Sequence, residues 1–131
     1  MSIDQILGVA GVVIQNNKLL LVKRKYGSKK GLWCIPCGKV EPNEELEVAV
    51  VREVLEETHL NTEIIKKIHQ VCSTHRRGVP YEGTWFLLNF TGGTLQADDD
   101  AEDAAFFSKH ELPELAFPDD AFVINNLLPL G

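Results

Sequence analysis

Residues 52–57 read Arg-Glu-Val-Leu-Glu-Glu, and this short run constrains the chain more than any other part of it. Glu53, Glu56 and Glu57 stand at i, i+3 and i+4. On an α-helix, where each residue turns by about 100°, they share one face. Val48, Val51 and Leu55 fall on the opposite face. The pattern predicts a helix anchored through those three residues, with its carboxylates turned the other way. Three like charges at close range need a positive partner, yet Glu53 meets Glu57 at i+4 and Glu56 meets Leu60. Arg52 is the only lysine or arginine between Lys39 and Lys66, and like pairs at i+4 repel by a few tenths of a kcal/mol. A solvated glutamate face, the commoner use of such a run, therefore lacks the bases that would support it. A hard divalent cation with oxygen ligands answers the charge better, Mg2+ or Mn2+ rather than a thiophilic metal. Phosphate chemistry is the natural use of such a site.

The upstream spacing narrows the reading. Gly38 is followed after five residues by Glu44, and after seven more by Arg52-Glu53, an aliphatic, one further residue and Glu56-Glu57. This arrangement resembles the Nudix box, and the similarity to Nudix hydrolases extends well beyond it. The strand–hairpin–strand lead-in, the Trp33-Cys34-Ile35-Pro36 entry and the tail Phe106-Phe107-Ser108 through Glu111-Leu112-Pro113 resemble the family too. The resemblance implies an α/β fold, the Nudix α/β/α sandwich with a mixed sheet, spanning residues 1–131 as one domain. It implies Glu53, Glu56 and Glu57 as metal ligands, joined by the backbone carbonyl of Gly38. Arg52 is then the base that orients the box carboxylates, with Glu44 as its partner. The general base falls either to Glu53 or to an acid of a later loop, for which Asp99, Asp100, Glu102 and Asp103 are candidates. The implied reaction is hydrolysis of a diphosphate linkage in a nucleoside diphosphate derivative. The stretch Asp103–Phe117 is similar to small ADP-ribose pyrophosphatases. A MutT-type nucleoside triphosphate pyrophosphohydrolase is the second reading. A non-catalytic nucleotide-binding module is the third, and the intact glutamates and arginine speak against it.

Three positions depart from the family pattern. Cys37 stands where a glycine is usual after the proline, and its Cβ faces the loop beside the metal. Asn43 replaces the glycine before Glu44 and is a good N-cap residue, leading into acids that suit the positive helix terminus. His59 replaces the glycine that closes the helix. It must end the helix where φ is often positive, a region in which histidine is enriched over most residues.

Around the box, Ile6–Ile14 and Leu19–Val22 read as strands joined by a Gln15-Asn16-Asn17-Lys18 hairpin. The long helix is expected over residues 43–59, and Tyr26–Gly31 is a polar loop. Thr62–Cys72 and Thr84–Phe90 are strands separated by a basic loop from His75 to Gly83. A turn over residues 91–94, a short strand Ala104–Ser108 and a closing helix Asp119–Leu128 entered through Pro118 complete the chain. Arg24, Arg76, Lys23 and Lys25 are candidates for phosphate contact, and Tyr81, Phe117 and Trp85 for base stacking, although Trp85 in an apolar strand suits the core.

Net charge is −6, which gives no electrostatic footprint for duplex nucleic acid. The expected partner is a nucleotide small molecule, and the chain is expected to act as a monomer or homodimer. No membrane association is expected: no apolar run approaches the roughly 20 residues of a membrane span, and Met1–Gln5 lacks the basic, apolar character of a signal peptide. Cys34-x2-Cys37 and Cys72-x2-His75 have zinc-ligand spacing. Their apolar strand context favours ordinary buried cysteines, Cys34 and Cys72 one in each strand. Three cysteines, an odd number, point to reduced thiols and a cytoplasmic setting.

Overall fold

The computed structural model describes residues 5–74 and 78–131. β1 (Ile6–Gln15) turns back into β2 (Lys18–Arg24) through Asn16 and Asn17, with φ of 52° and 62°. Two consecutive left-handed residues give a hairpin turn whose twist matches that of the strands. The ladder here is short, Ile14↔Leu19 and Gln15↔Lys18, because β1 then takes other partners along its length. On one edge β4 (Cys37–Lys39) pairs antiparallel, Val9 opposite Gly38. On the other, β6 (Pro80–Gly93) runs parallel, from Ile6↔Tyr81 to Val13↔Leu88. β5 (Leu60–Thr74) closes that side antiparallel to β6. β2 carries β3 (Trp33–Cys34) and β7 (Ala101–Phe107). The sheet is mixed, and its main path runs β3-β2-β1-β6-β5.

Alternation along β1 separates two cores. Val9 and Val13, with Leu20, Phe86 and Leu88, pack beneath α1 (Leu46–Thr58) through its Ala49, Val50 and Val54. Ala10 and Val12, with Leu19, Leu21, Ile35 and Trp85, pack against α2 (Pro118–Leu127) through Val123 and Ile124. Helix, sheet and helix form the expected sandwich.

The face through which α1 is anchored is not the expected one. Val48 and Leu55 are exposed and Val51 only half-buried, whereas Ala49, Val50 and Val54 are buried. Positions 50, 54 and 57 are one turn apart, so Glu53 and Glu57 lie on the buried stripe and not across from it. Each fully buried valine contributes roughly 1.5–3 kcal/mol, which helps offset the cost of taking carboxylates inward. The helix also starts later than expected. Glu45 precedes its first turn without a side-chain cap. Asn43, expected as the cap, has φ of 63° and serves the preceding turn. His59 does close the helix in the left-handed region at φ 63°, its N–H bonded to the Leu55 carbonyl.

Further differences concern strand ends. β5 and β6 run on as a long antiparallel pair, so residues 80–83 and 91–93 are strand where loop and turn were expected. β7 begins at Ala101, and β4 was not foreseen, whereas Cys34 lies in a strand, β3, as expected. Cys34 is buried as expected, but Cys72 is exposed; it sits toward the far end of β5, where exposure rises.

Gly11 lies where α1 packs closely on β1. A Cβ there would stand 2.7 Å from Val54 Cγ2, 2.8 Å from Leu88 Cδ1 and 3.0 Å from Val50 Cγ2. Gly11→Ala is therefore expected to cost roughly 1–3 kcal/mol of stability through overpacking, measured by urea unfolding. Parent-like stability would mean the helix can retreat freely and is not pinned at Gly11.

Candidate active site

The carboxylates of α1 fall into two groups, and Arg52 divides them. Its Nε donates to Glu44 Oε2 at 2.8 Å and Nη2 to Glu44 Oε1 at 2.9 Å, a bidentate pair of the kind guanidinium favours. Nη1 donates to Glu53 Oε1 at 2.8 Å and to Glu56 Oε1 at 2.9 Å, and Nη2 also reaches the Lys39 carbonyl at 3.1 Å. One arginine thus ties the loop before the helix, the helix itself and the end of β4 together. The bond from Arg52, above all, holds the Glu44 carboxyl down to about 2.

Glu57 receives none of that charge. It is only 5% exposed, and its carboxyl is pushed up to about 10, first by burial and then by the adjacent Glu53 carboxylate with which it hydrogen-bonds. Glu53 is raised too, mainly by burial, although Arg52 pulls the other way. Two buried carboxylates held side by side share a proton unless a cation replaces it. Their donors are oxygens alone. This donor set fits a hard divalent cation. Glu56 does not close round with the pair; its half-exposed carboxylate is held by Arg52. Among the described residues no group of three His, Cys, Asp or Glu side chains is gathered in metal-holding geometry.

Gly38 explains itself sterically. A Cβ at this position would collide with the carboxylate of Glu53, so the absence of a side chain lets the acid lie against β4.

Glu53, Glu57 and Gly38 line one side of a cleft of about 1030 Å³, which is also lined by Arg24, Lys25, Lys29, Tyr81, Phe117, Asp99 and Asp100. Arg24 sits 5.0 Å over the Phe117 ring and 3.8 Å from Cys34 Sγ. The Tyr81 ring folds over the paired glycines Gly8 and Gly83, which leave it room, and burial raises its phenol. Of the late acids, Asp99 and Asp100 reach the cleft wall. Glu102 and Asp103 do not: Glu102 pairs with Lys23 at 3.6 Å on the surface, and exposed Asp103 bonds the next backbone N–H. Both lie on β7, whose alternation and edge position carry them away. Arg76 lies outside the described residues.

Two features were not anticipated. Asp120 is buried at the cleft, accepting from Trp85 Nε1 and the Ile35 N–H, each at 3.0 Å, and burial pushes it up to about 6. Its position in the first turn of α2, where the helix terminus favours an anion, was the available signal. His59 Nε2 lies 2.8 Å from Asp98 Oδ2, and the backbone N–H groups of Asp98 and Gln96 bond the Glu57 and Thr58 carbonyls. The segment that delivers Asp99 and Asp100 to the cleft therefore hangs from the end of α1.

A model of the NUDIX domain matches residues 5–127. The chain belongs to the Nudix hydrolase family. It is 40% identical over 119 residues to an ADP-ribose pyrophosphatase of Methanocaldococcus jannaschii, covering 89% of this chain and 70% of that one. It is 31% identical over 103 residues to an 8-oxo-dGDP phosphatase of Homo sapiens, covering 76% of this chain but 31% of the human protein. Its fold matches the crystal structure of a MutT NUDIX hydrolase from Burkholderia pseudomallei with a TM-score of 0.82 at 23% identity, over 95% of this chain and 99% of the other. Nudix hydrolases generally use divalent metal ions, in keeping with the oxygen-only pair.

The raised carboxyl of Glu57 has a consequence for stability. The unfolded chain ionises this group near the ordinary 4.5, the folded chain only near about 10. The folded state therefore binds the extra proton across that window, and metal-free protein loses stability as pH rises through it. Asp120 acts in the same direction, but only up to about 6. Thermal melts in chelator are expected to fall between neutral pH and about two units above it, and Mg2+ is expected to abolish most of the fall. A flat profile in chelator would remove the shared-proton account.

Proposed function

We propose that this Nudix hydrolase cleaves the diphosphate linkage of a nucleoside diphosphate derivative, with ADP-ribose or a related compound as substrate and Mg2+ as the metal, Mn2+ being able to replace it. The observation that carries the reading is the Glu53–Glu57 carboxylate pair in a cleft also lined by Arg24, Lys25 and Lys29. Arg52 bonds Glu53 but not Glu57, so the charge of the buried Glu57 carboxylate is left for a metal.

Glu53, Glu57 and the Gly38 carbonyl are the groups that would hold the metal, and Glu56 would join them only by releasing Arg52. When bound, the metal neutralises the diphosphate and makes a bound water acidic. The chain's own residues do the rest. Arg24, Lys25 and Lys29 take up phosphate charge, and Tyr81 and Phe117 present flat apolar surfaces to a base or sugar. Glu53 is the general base, held by Arg52 against rotation; Asp100 is the alternative, brought to the same cleft by its loop. Arg52 and Glu44 position this acid and do not touch substrate. The volume of about 1030 Å³ suits an extended ligand carrying groups on both sides of its diphosphate. The likeness to the archaeal ADP-ribose pyrophosphatase supports that choice.

A MutT-type activity on nucleoside triphosphates is the second reading. It is favoured by the likeness to a putative 8-oxo-dGTP diphosphatase of Bacillus subtilis, 39% identical over 87 residues, covering 66% of this chain and 54% of that one. A cytoplasmic setting belongs to the proposal and rests on the three unpaired cysteines.

The test is hydrolysis of ADP-ribose, other nucleoside diphosphate sugars, dinucleoside polyphosphates and nucleoside triphosphates, each with Mg2+ and with chelator. ADP-ribose is expected to be turned over fastest and only with metal. Glu57→Gln is expected to lower turnover at least a hundredfold while circular dichroism remains that of the parent. Triphosphates turned over faster would select the second reading. Near-parental turnover by Glu57→Gln would remove the metal-site argument.

A further inference from the structure

Cys34 and Cys37 are the one chemically reactive pair in the cleft wall that hydrolysis does not use. They lie at the ends of β3 and β4 and are separated only by Ile35 and Pro36. Both line the same cleft as Glu53 and Glu57, and both side chains belong to one apolar cluster beneath it. Cys34 is almost wholly enclosed, while Cys37 keeps partial exposure toward the cleft. The Arg24 guanidinium reaches the Cys34 sulfur at 3.8 Å, an arrangement that favours a nucleophilic sulfur. Cys72 is exposed on β5 and does not line this cleft.

We propose that Cys34 and Cys37 form a site of reversible oxidation in the cleft wall, closed to a disulfide by hydroperoxides, and that closing it suppresses hydrolysis. One sulfur of the pair attacks the terminal oxygen of the hydroperoxide, the O–O bond breaks, and a sulfenic acid forms with release of water or alcohol. The other sulfur then displaces the hydroxyl, which leaves as a second water carrying the remaining thiol proton. With hydrogen peroxide the sum is two thiols and one peroxide giving one disulfide and two waters. The dithiol is oxidised by two electrons and the peroxide is reduced by two. A dithiol reductant reverses the step by exchange.

The consequence for hydrolysis follows from what Cys37 touches. A disulfide holds the sulfurs at about 2.05 Å and ties the start of β4 to the end of β3. Cys37 lines the same cleft as Glu57. Its neighbour Gly38 has no room for even one additional atom beside Glu53. Both carboxylates therefore feel the closure. The oxidation itself stands on the sulfurs alone, whereas its effect on turnover rests on the proposed reading of the cleft.

The test uses the full chain carrying Cys72→Ser, so that no third thiol can exchange. After hydrogen peroxide treatment, denaturation and alkylation, intact mass and peptide mapping are expected to give a chain lighter by two hydrogens. It should carry no alkylated thiol and a linked Cys34–Cys37 peptide. Metal-dependent turnover is expected to fall at least tenfold and to return with dithiothreitol. Cys37→Ser and Cys34→Ser, compared as treated against untreated, are expected to lose that reversible response. Two alkylated thiols after treatment would overturn the proposal, as would sulfinic acid without a link. A linked chain with undiminished turnover would overturn the suppression. The mass readout does not depend on which substrate, if any, is cleaved.

Discussion

Everything in the site depends on how near α1 can come to the sheet. Two glycines set that distance. Gly11 admits Val50 and Val54 beneath the middle of the helix, and Gly38 admits the Glu53 carboxylate near its C-terminal half. With the helix seated there, Glu57 has no choice but to follow Val50 and Val54 into the interior. Burial of an acid costs free energy unless it is paired or neutralised, and the protein arranges for the compensation to come from outside. The packing of valines holds in place a carboxylate pair that packing alone would expel.

Arg52 plays a complementary part. It engages Glu44, Glu53 and Glu56. Glu57 remains the member of the group without a cation among the described residues. One arginine therefore sets Glu57 apart from the other three acids. Its rigid fork suits it to the task where a lysine would offer a single point of charge.

Much of this was legible in the residues, and the misreadings share a cause. The Asn16-Asn17 turn and the left-handed His59 follow from local chemistry, the pairing of Arg52 with Glu44 was implied by the family resemblance, and all three are present. The face of α1 was misread because Val48, Val51 and Leu55 are as apolar as the residues that became the core. Hydrophobicity alone cannot choose a stripe that includes two glutamates. Functional sites are where a sequence is expected to break its own patterning. Asn43 was taken as a cap, although its αL tolerance equally suits the turn it occupies. Pro80 and the nearby glycines suggested a loop, yet β6 lies between β1 and β5, and the pairing on both sides keeps these residues in strand. Asp120 was missed because its partners, Ile35 and Trp85, are 85 and 35 residues away. No local pattern reports such a contact.

The Tyr81 ring rests on Gly8 and Gly83, and a Cβ at either would stand 2.5 Å or 3.0 Å from its hydroxyl. This wall of the cleft is shaped by two side chains that are not there. Its tolerance to change is accordingly one-sided. A substitution at either glycine pushes the aromatic ring outward into the space a ligand uses, and no substitution at those positions can make the space larger. The cleft stands at its upper limit of width there, so that relatives built on the same sheet can narrow their choice of ligand by a single codon but must alter the ring itself to broaden it.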